Sequence, residues 1–315
     1  MKLPKLRIAN LVAELPIIQG GMAVRISTST LAAAVANEGG IGVIAGTGMG
    51  PAELQREIRQ ARSMTRGILG INVLFAVSQF AELVKTAIAE KIDLVISGAG
   101  FSRDMFGWGK EGNVPIVPIV SSAKLAVLAE KLGAAAVIVE GKEAGGHLGT
   151  DRPMLSILQE VKAAVQIPVI GAGGIFDGYD IASAINLGAD GVQMGTRFAA
   201  SDESNASDAF KQAYIAAVPA DVIHIHSPVG LPGQALRSSF TDRIASAEHL
   251  ERSPCVNCLK RCDHSFCIIT ALNHAHRPGL ADKALVFCGE NVYRIQEILS
   301  VHEIFQRLRA EWSMA

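Results

Sequence analysis

The 315-residue chain has no cysteine before Cys255, only 5% aromatic residues and no excess charge of either sign, since 29 Lys and Arg stand against 30 Asp and Glu. A pI near 6.7 gives no global positive field, so no nucleic-acid partner is expected. Five cysteines, an odd number gathered near the C-terminal end, do not resemble the framework of a secreted disulfide-stapled domain. Long apolar runs are missing too. Mean hydropathy is high at +0.30, but the richest stretch, Gly67–Val77, is broken by Asn72. It falls short of the roughly 18 apolar residues that a spanning helix needs. The opening MKLPKLRIANLVAELP holds no apolar signal core, so no membrane association and a cytoplasmic location are expected. With 49% hydrophobic and 19% charged residues, disorder is excluded as the main state. Glycine is what the chain has in plenty, 31 residues against 12 prolines, and this composition is neither collagen-like nor low-complexity.

Short apolar or β-branched runs recur at Pro16–Met22, Ile41–Gly46, Leu69–Phe75 and Leu94–Gly100, and again at Pro115–Val120, Ala136–Gly141, Ile167–Gly174 and Gly191–Thr196. Most are continuously apolar, as strands buried on both faces require. Helix-like segments alternate with them, at Ser29–Glu38, Pro51–Ser63, Gln79–Lys91, Ser122–Leu132, Pro153–Val165, Gly178–Leu187 and Glu203–Ala217. Between the fourth and fifth strands, Phe101–Gly112 reads as a short or irregular helix. Gly39, Gly133 and Gly188 close three of the segments, the expected place for a C-terminal cap. Repeated strand–helix units of this kind predict an α/β fold, a (β/α)8 TIM barrel. An open doubly wound sheet is the alternative, but its first turn usually carries GxGxxG, and the first strand here ends in Gly20-Gly21-Met22.

In a barrel the strand C-termini build the active-site rim, and the loops after strands seven and eight commonly hold a phosphate. Gly173, Gly174, Gly195 and Thr196 occupy those loops, so they are the candidate phosphate contacts. Bare glycine backbone lets N–H groups approach a ligand closely. His147 follows Glu143, Ala144, Gly145 and Gly146 after the sixth strand. An imidazole there could face a ligand, and its unperturbed pKa near ~6.5 suits proton abstraction at neutral pH.

QGGM at the first strand, Asn72 in the third, EAGGHLG, PVIGAGGI and GADGVQMGTRF fall in order over about residues 14–205. In these motifs the chain resembles the FMN-dependent nitronate monooxygenase family, formerly called 2-nitropropane dioxygenases, which includes flavin-dependent enoyl-acyl-carrier-protein reductases. SPVGLPGQALRSSFTDR (Ser227–Arg243) is similar more weakly. The resemblance implies an FMN on the rim, with its phosphate against Gly173, Gly174, Gly195 and Thr196. It places the ring near Gly21, Met22, Asn72, Gly145, Gly146 and Gln193. Gly20, Glu143, Ala144, Gly171 and Met194 complete the implied set, and Lys124 is a further family-like position able to offset negative charge. His147 matches the family's base, which removes an α-proton from a nitroalkane.

Cys255, Cys258, Cys262 and Cys267 run as C-x2-C-x3-C-x4-C, and Cys288 follows at a distance. Thiolates so spaced can converge on one metal. The first three resemble the 4Fe–4S spacing of FMN barrels such as dienoyl-CoA reductase and trimethylamine dehydrogenase. A 4Fe–4S cluster, a structural zinc and unligated thiols all remain open, with Cys267 or Cys288 as the fourth ligand.

The sequence divides into an FMN-binding barrel over 1–217, a small lid domain with the cysteine cluster over 218–284, and a C-terminal strand and helix returning to the barrel over 285–315. The strand reads at Ala284–Cys288 and the helix at Val301–Arg309, with Val301, Ile304, Phe305 and Leu308 on one face. The function expected is an FMN oxidoreductase oxidising alkyl nitronates. The alternative is NAD(P)H-dependent reduction of an enoyl thioester, with an iron–sulfur relay. A non-enzymatic redox or metal sensor and a flavin-free phosphosugar barrel are rival classes. A homo-oligomer is expected.

Overall fold

Parallel strands buried on both faces can be satisfied only by closure or by two covering layers, and here they close. The computed structural model describes residues 3–246, 255–277 and 283–315. A short antiparallel hairpin comes first, β1 (Leu6–Ile8) and β2 (Leu11–Ala13). The barrel strands are β3 (Ile17–Gln19), β4 (Ile41–Ala45), β5 (Ile68–Leu74), β6 (Leu94–Gly98), β7 (Ile116–Val120) and β8 (Val137–Glu140), then, after the two-residue β9 (Gly146–His147), β10 (Val169–Ala172) and β11 (Gly191–Met194). They form a closed barrel in the order β10-β11-β3-β4-β5-β6-β7-β8. Seven of the eight lie within runs read from the sequence, and β5 starts one residue before its run, at Ile68.

Side chains alternate between two apolar compartments. Ile18, Ile41, Val43, Leu94, Ile96, Val117, Ile138 and Ile170 point inward and fill the barrel. Leu6, Ile8 and Ala13 of the hairpin join that cluster and seal it from below, a role with no local sign in the sequence. Ile17, Ile44, Leu69, Ile71, Val95 and Val169 point outward into the layer of helices. Fully burying each such side chain contributes about 1.5–3 kcal/mol before entropy is counted.

The helices are α1 (Ser29–Asn37), α2 (Pro51–Met64), α3 (Phe80–Ala89), α4 (Asp104–Gly112), α5 (Ala123–Lys131), α6 (Met154–Ala164), α7 (Gly178–Asn186), α8 (Thr196–Ala199) and α9 (Asp208–Ala216). Ser122 caps α5 by accepting from Leu125 N, and an Asp177/Asp180 capping box starts α7. Gly133 and Gly188 follow α5 and α7 at φ +98° and +100°, a left-handed turn that a side chain would strain. The helix expected over Glu203–Ala217 is shorter, and an unexpected turn precedes it. A single turn, α8, follows β11 directly, and α9 starts only at Asp208, where Ser207 accepts from Phe210 N.

Beyond residue 217 the chain folds back over the rim. β12 (Val222–His226) and β13 (Pro232–Leu236) pair antiparallel, and β13 also pairs with β9, giving a three-stranded sheet β12-β13-β9. α10 (Ser239–Ala245) and α11 (Ile268–His274) follow. The strand expected at Ala284–Cys288 is reduced to an Ala235–Phe287 bridge flanking β13. α12 (Val301–Met314) runs longer than expected and buries Val301, Ile304, Phe305, Leu308 and Trp312. No helix among the described residues is long and apolar enough to cross a membrane.

Candidate active site

One deep pocket opens at the C-terminal ends of the barrel strands. Gly20, Gly21 and Met22 after β3, Asn72 on β5, Glu143–His147 after β8, Gly173 and Gly174 after β10, and Gln193–Thr196 all line it. Segments far apart in sequence meet there because parallel strands end on a common rim. Gly171 and Lys124 do not join them. Strand alternation turns Gly171 outward against Met154 of α6 and leaves Ala172 facing the pocket. Lys124 is exposed in the first turn of α5.

Close approach explains several glycines. A Cβ on Gly21 would collide with the Asn72 side chain, so the loop after β3 can lie against β5 only as glycine. A Cβ on Gly145 would stand 2.6 Å from the carbonyl carbon of Cys288. The 289–291 segment stitches the glycine loops together: Gly289 N donates to Thr196 Oγ1 (2.8 Å), Asn291 Nδ2 to Gly174 O (2.7 Å) and Glu290 N to Glu143 O (2.9 Å).

Polar groups are set among these glycines in two ways. Gln19 is fully buried and satisfied: its amide donates to Ser27 Oγ (2.9 Å) and accepts from Val43 N (3.0 Å), which fixes the first rim loop. Gln193, Asn72 and Glu140, by contrast, make no side-chain hydrogen bond among the described residues, and Gln193 Oε1 is buried without a partner. A buried amide left this way is costly unless a ligand completes it.

His147 Nε2 lies 2.8 Å from Ser227 Oγ, and its ring packs edge-on to Phe287 with centroids 5.2 Å apart. Ser227 is fully buried. Burial pulls the His147 pKa down to about 4, so the imidazole is neutral at ordinary pH. β13 holds the backbone beside it through Gly233–His147 and Gln234–Gly146 pairing, and Gln234 Nε2 donates to Ala144 O (2.8 Å). His224 contacts Gln234 Oε1 (3.0 Å), and His226 pairs with Asp263 in solvent, so neither enters the pocket. Ser227, Gln234, Glu140 and Phe287 were not identified as site residues from the sequence. Glu140 sits at a strand end and Ser227 and Gln234 lie in the weakly similar Ser227–Arg243 segment, but no local sign marked Phe287.

The pocket's outer wall is apolar and comes from the C-terminal segment: Val229, Leu259, Ile268, Ile269, Leu272 and Phe287. The cysteine-bearing strap delivers Leu259 by bridging to Val77, with Ser78 N donating to Cys258 O (2.9 Å) and Lys260 N to Ala76 O (2.8 Å). Lys260 Nζ sits 3.6 Å over the Phe75 ring and donates to Phe75 O. Arg25 ties α11 to the barrel, pairing with both Glu53 oxygens (2.6 and 2.8 Å) and with Asn273 Oδ1 (2.7 Å).

Of the outcomes left open by the cysteine spacing, neither an iron–sulfur nor a zinc centre is found among the described residues. Among the described residues, no group of three or more His, Cys, Asp or Glu side chains could hold a metal ion. All five cysteines are free thiols. Cys258 and Cys262 pack on the apolar core, and Cys255 is exposed; burial, with Cys267, Cys262 and Cys255 nearby, raises the Cys258 thiol pKa. Cys267 starts α11 and accepts from Thr270 Oγ1 (3.2 Å). Cys288 is buried elsewhere, its thiol pushed up to about 12 by burial.

A family model described as "Nitronate monooxygenase" matches residues 5–96 and 76–311. A relative from Rhodococcus jostii, (3aS,4S,5R,7aS)-5-hydroxy-7a-methyl-1-oxo-octahydro-1H-indene-4-carboxyl-CoA dehydrogenase, is 34% identical over 234 residues, covering 74% of this chain. The match spans 65% of that relative's length, just under two thirds. A probable nitronate monooxygenase of Staphylococcus aureus is 30% identical over 280 residues, 75% of this chain and 79% of that one. Among solved structures, FabK from Thermotoga maritima superposes with a TM-score of 0.85 at 32% identity, over 96% of this chain and 94% of that one. A nitroalkane oxidase from Streptomyces ansochromogenes gives 0.82 at 25% identity, over 96% of each chain.

Proposed function

The chain belongs to the nitronate monooxygenase family, and on that premise we propose that it is an FMN-dependent oxidoreductase that oxidises alkyl nitronates with His147 handling the proton. The observation that carries this reading is the pairing of a glycine-lined rim, holding Asn72 and the buried, unpartnered Gln193 Oε1, with a neutral imidazole beside it. FMN fits these residues: Gly173, Gly174, Gly195 and Thr196 would hold its phosphate, and Gly21, Asn72, Gly145, Gly146 and Gln193 its ring. When bound, it would supply the electron acceptor for a carbanion-like substrate and the site that meets oxygen.

The residues of the chain do the rest. If His147 Nε2–H donates to Ser227 Oγ, the tautomer is fixed and the Nδ1 lone pair is left to take the α-proton of a neutral nitroalkane, which yields the nitronate. Phe287 packs against the ring. The wall of Leu259, Ile268, Ile269 and Leu272 excludes water from the reacting carbon.

A second reading, NAD(P)H-dependent reduction of an enoyl thioester, is favoured by that same wall, which suits an apolar acyl group. It is also supported by the Rhodococcus relative, named as a dehydrogenase of a CoA thioester. Anaerobic mixing separates the two. Loss of the flavin band near ~450 nm with an alkyl nitronate supports the first reading. Loss of the band only with NAD(P)H supports the second. Purified protein without flavin absorbance would remove both.

A further inference from the structure

We propose that Glu140, in the lining of the rim pocket, is a cofactor-binding residue whose carboxyl O–H donates a hydrogen bond to the flavin ring. The proposal rests on the FMN reading above and names a contact which that reading does not require.

Register places Glu140 first. Ala172 on β10 pairs with Glu140 of β8 on one side and with Gln193 of β11 on the other, so the three stand in one row across the barrel. Two strand spacings put the Cα atoms of Glu140 and Gln193 about 10 Å apart, and both residues line the pocket. Neither side chain makes a hydrogen bond among the described residues, and Gln193 Oε1 is buried and orphaned. A row offering one acceptor and one carboxyl matches a ring edge that carries both N–H and C=O groups. It does not match a phosphate, which an ionised Glu140 would repel.

The surroundings keep the carboxyl neutral. On its own loop, Glu143 is held by Met154 N and His147 is uncharged. From β7 the pocket receives Ile119, and from β10 Ala172 and Gly173. Tyr214 gives its hydroxyl to Phe287 O, and Arg197, the cation among the lining residues, donates to Glu297 O. Burial alone pushes the Glu140 pKa up to about 8, with no charged neighbour contributing. An acid poised so would lose its donor proton in mild alkali, and ring binding would weaken with it.

The test is a fluorescence titration of FMN into flavin-stripped protein from about pH 6.5 to about pH 9, with wild type, Glu140→Gln and Glu140→Ala. Wild-type Kd should be level below about pH 8 and then rise by up to about tenfold per pH unit. E140Q keeps a donor that cannot ionise, so its Kd should stay level throughout. E140A should bind FMN at least about fivefold more weakly at pH 7, the worth of ~1 kcal/mol for a hydrogen bond. Two results would overturn the assignment: a wild-type pH slope equal to that of E140Q, or E140A affinity equal to wild type. If wild type binds no FMN at any pH, the flavin reading itself falls, and this contact falls with it.

Discussion

His147 is the residue on which the proposed chemistry turns, and its environment makes the pH dependence explicit. A base must be unprotonated to act, so activity should be level through neutrality and fall only as pH drops toward about 4. An acid limb near the ordinary imidazole value would instead place the working histidine elsewhere. His147→Gln, close in size, should lower kcat with a neutral nitroalkane by about 10²–10⁴-fold while flavin content stays at the wild-type level. Ser227→Ala removes the hydroxyl 2.8 Å from Nε2. A roughly three- to tenfold fall in kcat with KM nearly unchanged is expected, corresponding to ~0.5–1.5 kcal/mol for one hydrogen bond. Gly21→Ala is a sharper test of the cradle, because the added methyl meets the Asn72 side chain. Purified G21A should carry markedly less flavin per mole of protein; full occupancy would show that this loop does not shape the ring site.

Among the elements, α11 is fastened to the barrel by nameable polar contacts as well as apolar packing. α11 supplies Ile268, Ile269 and Leu272 to the pocket wall, and its Asn273 is fastened through Arg25 to Glu53. Arg25→Gln breaks the bidentate pairing. Amides of 268–274 should then exchange faster with deuterium while those of β4 and β5 keep their protection. Equal exchange in both proteins would mean that apolar packing alone seats α11. The strap that carries Leu259 shows what the C-x2-C-x3-C-x4-C pattern became in this fold. Its cysteines are spaced as metal ligands are, but the segment runs along the β5–α3 loop through the Val77–Leu259 bridge and the Lys260 contacts with Phe75. Two of the sulfurs are turned into the apolar core.

For the whole molecule, the barrel is closed below by the β1–β2 hairpin and braced outside by α12, whose aromatic and aliphatic side chains pack toward α1 and α7. Phe305 is fully buried in this brace. Phe305→Ala should cost about 3–5 kcal/mol, read as a lower denaturation midpoint with an unchanged slope. The strand–helix beat was legible along the chain because each parallel strand must be apolar on both faces and each rim turn needs small residues. That is why eight strands and most of the glycine rim could be found by reading alone.

What the sequence determined by itself was therefore periodic and local: the barrel, the rim loops, and His147 at the end of EAGGH. The tertiary structure decided everything that depends on which side chains meet. Strand alternation turned Gly171 away and brought Ala172 in, and helix geometry left Lys124 in solvent. Closure set Glu140 and Gln193 in one row, and the returning C-terminal segment brought Ser227 to His147 across 80 residues of sequence. Contacts of that kind leave no periodic trace, because the residues that make them are neighbours only after the chain has closed on itself.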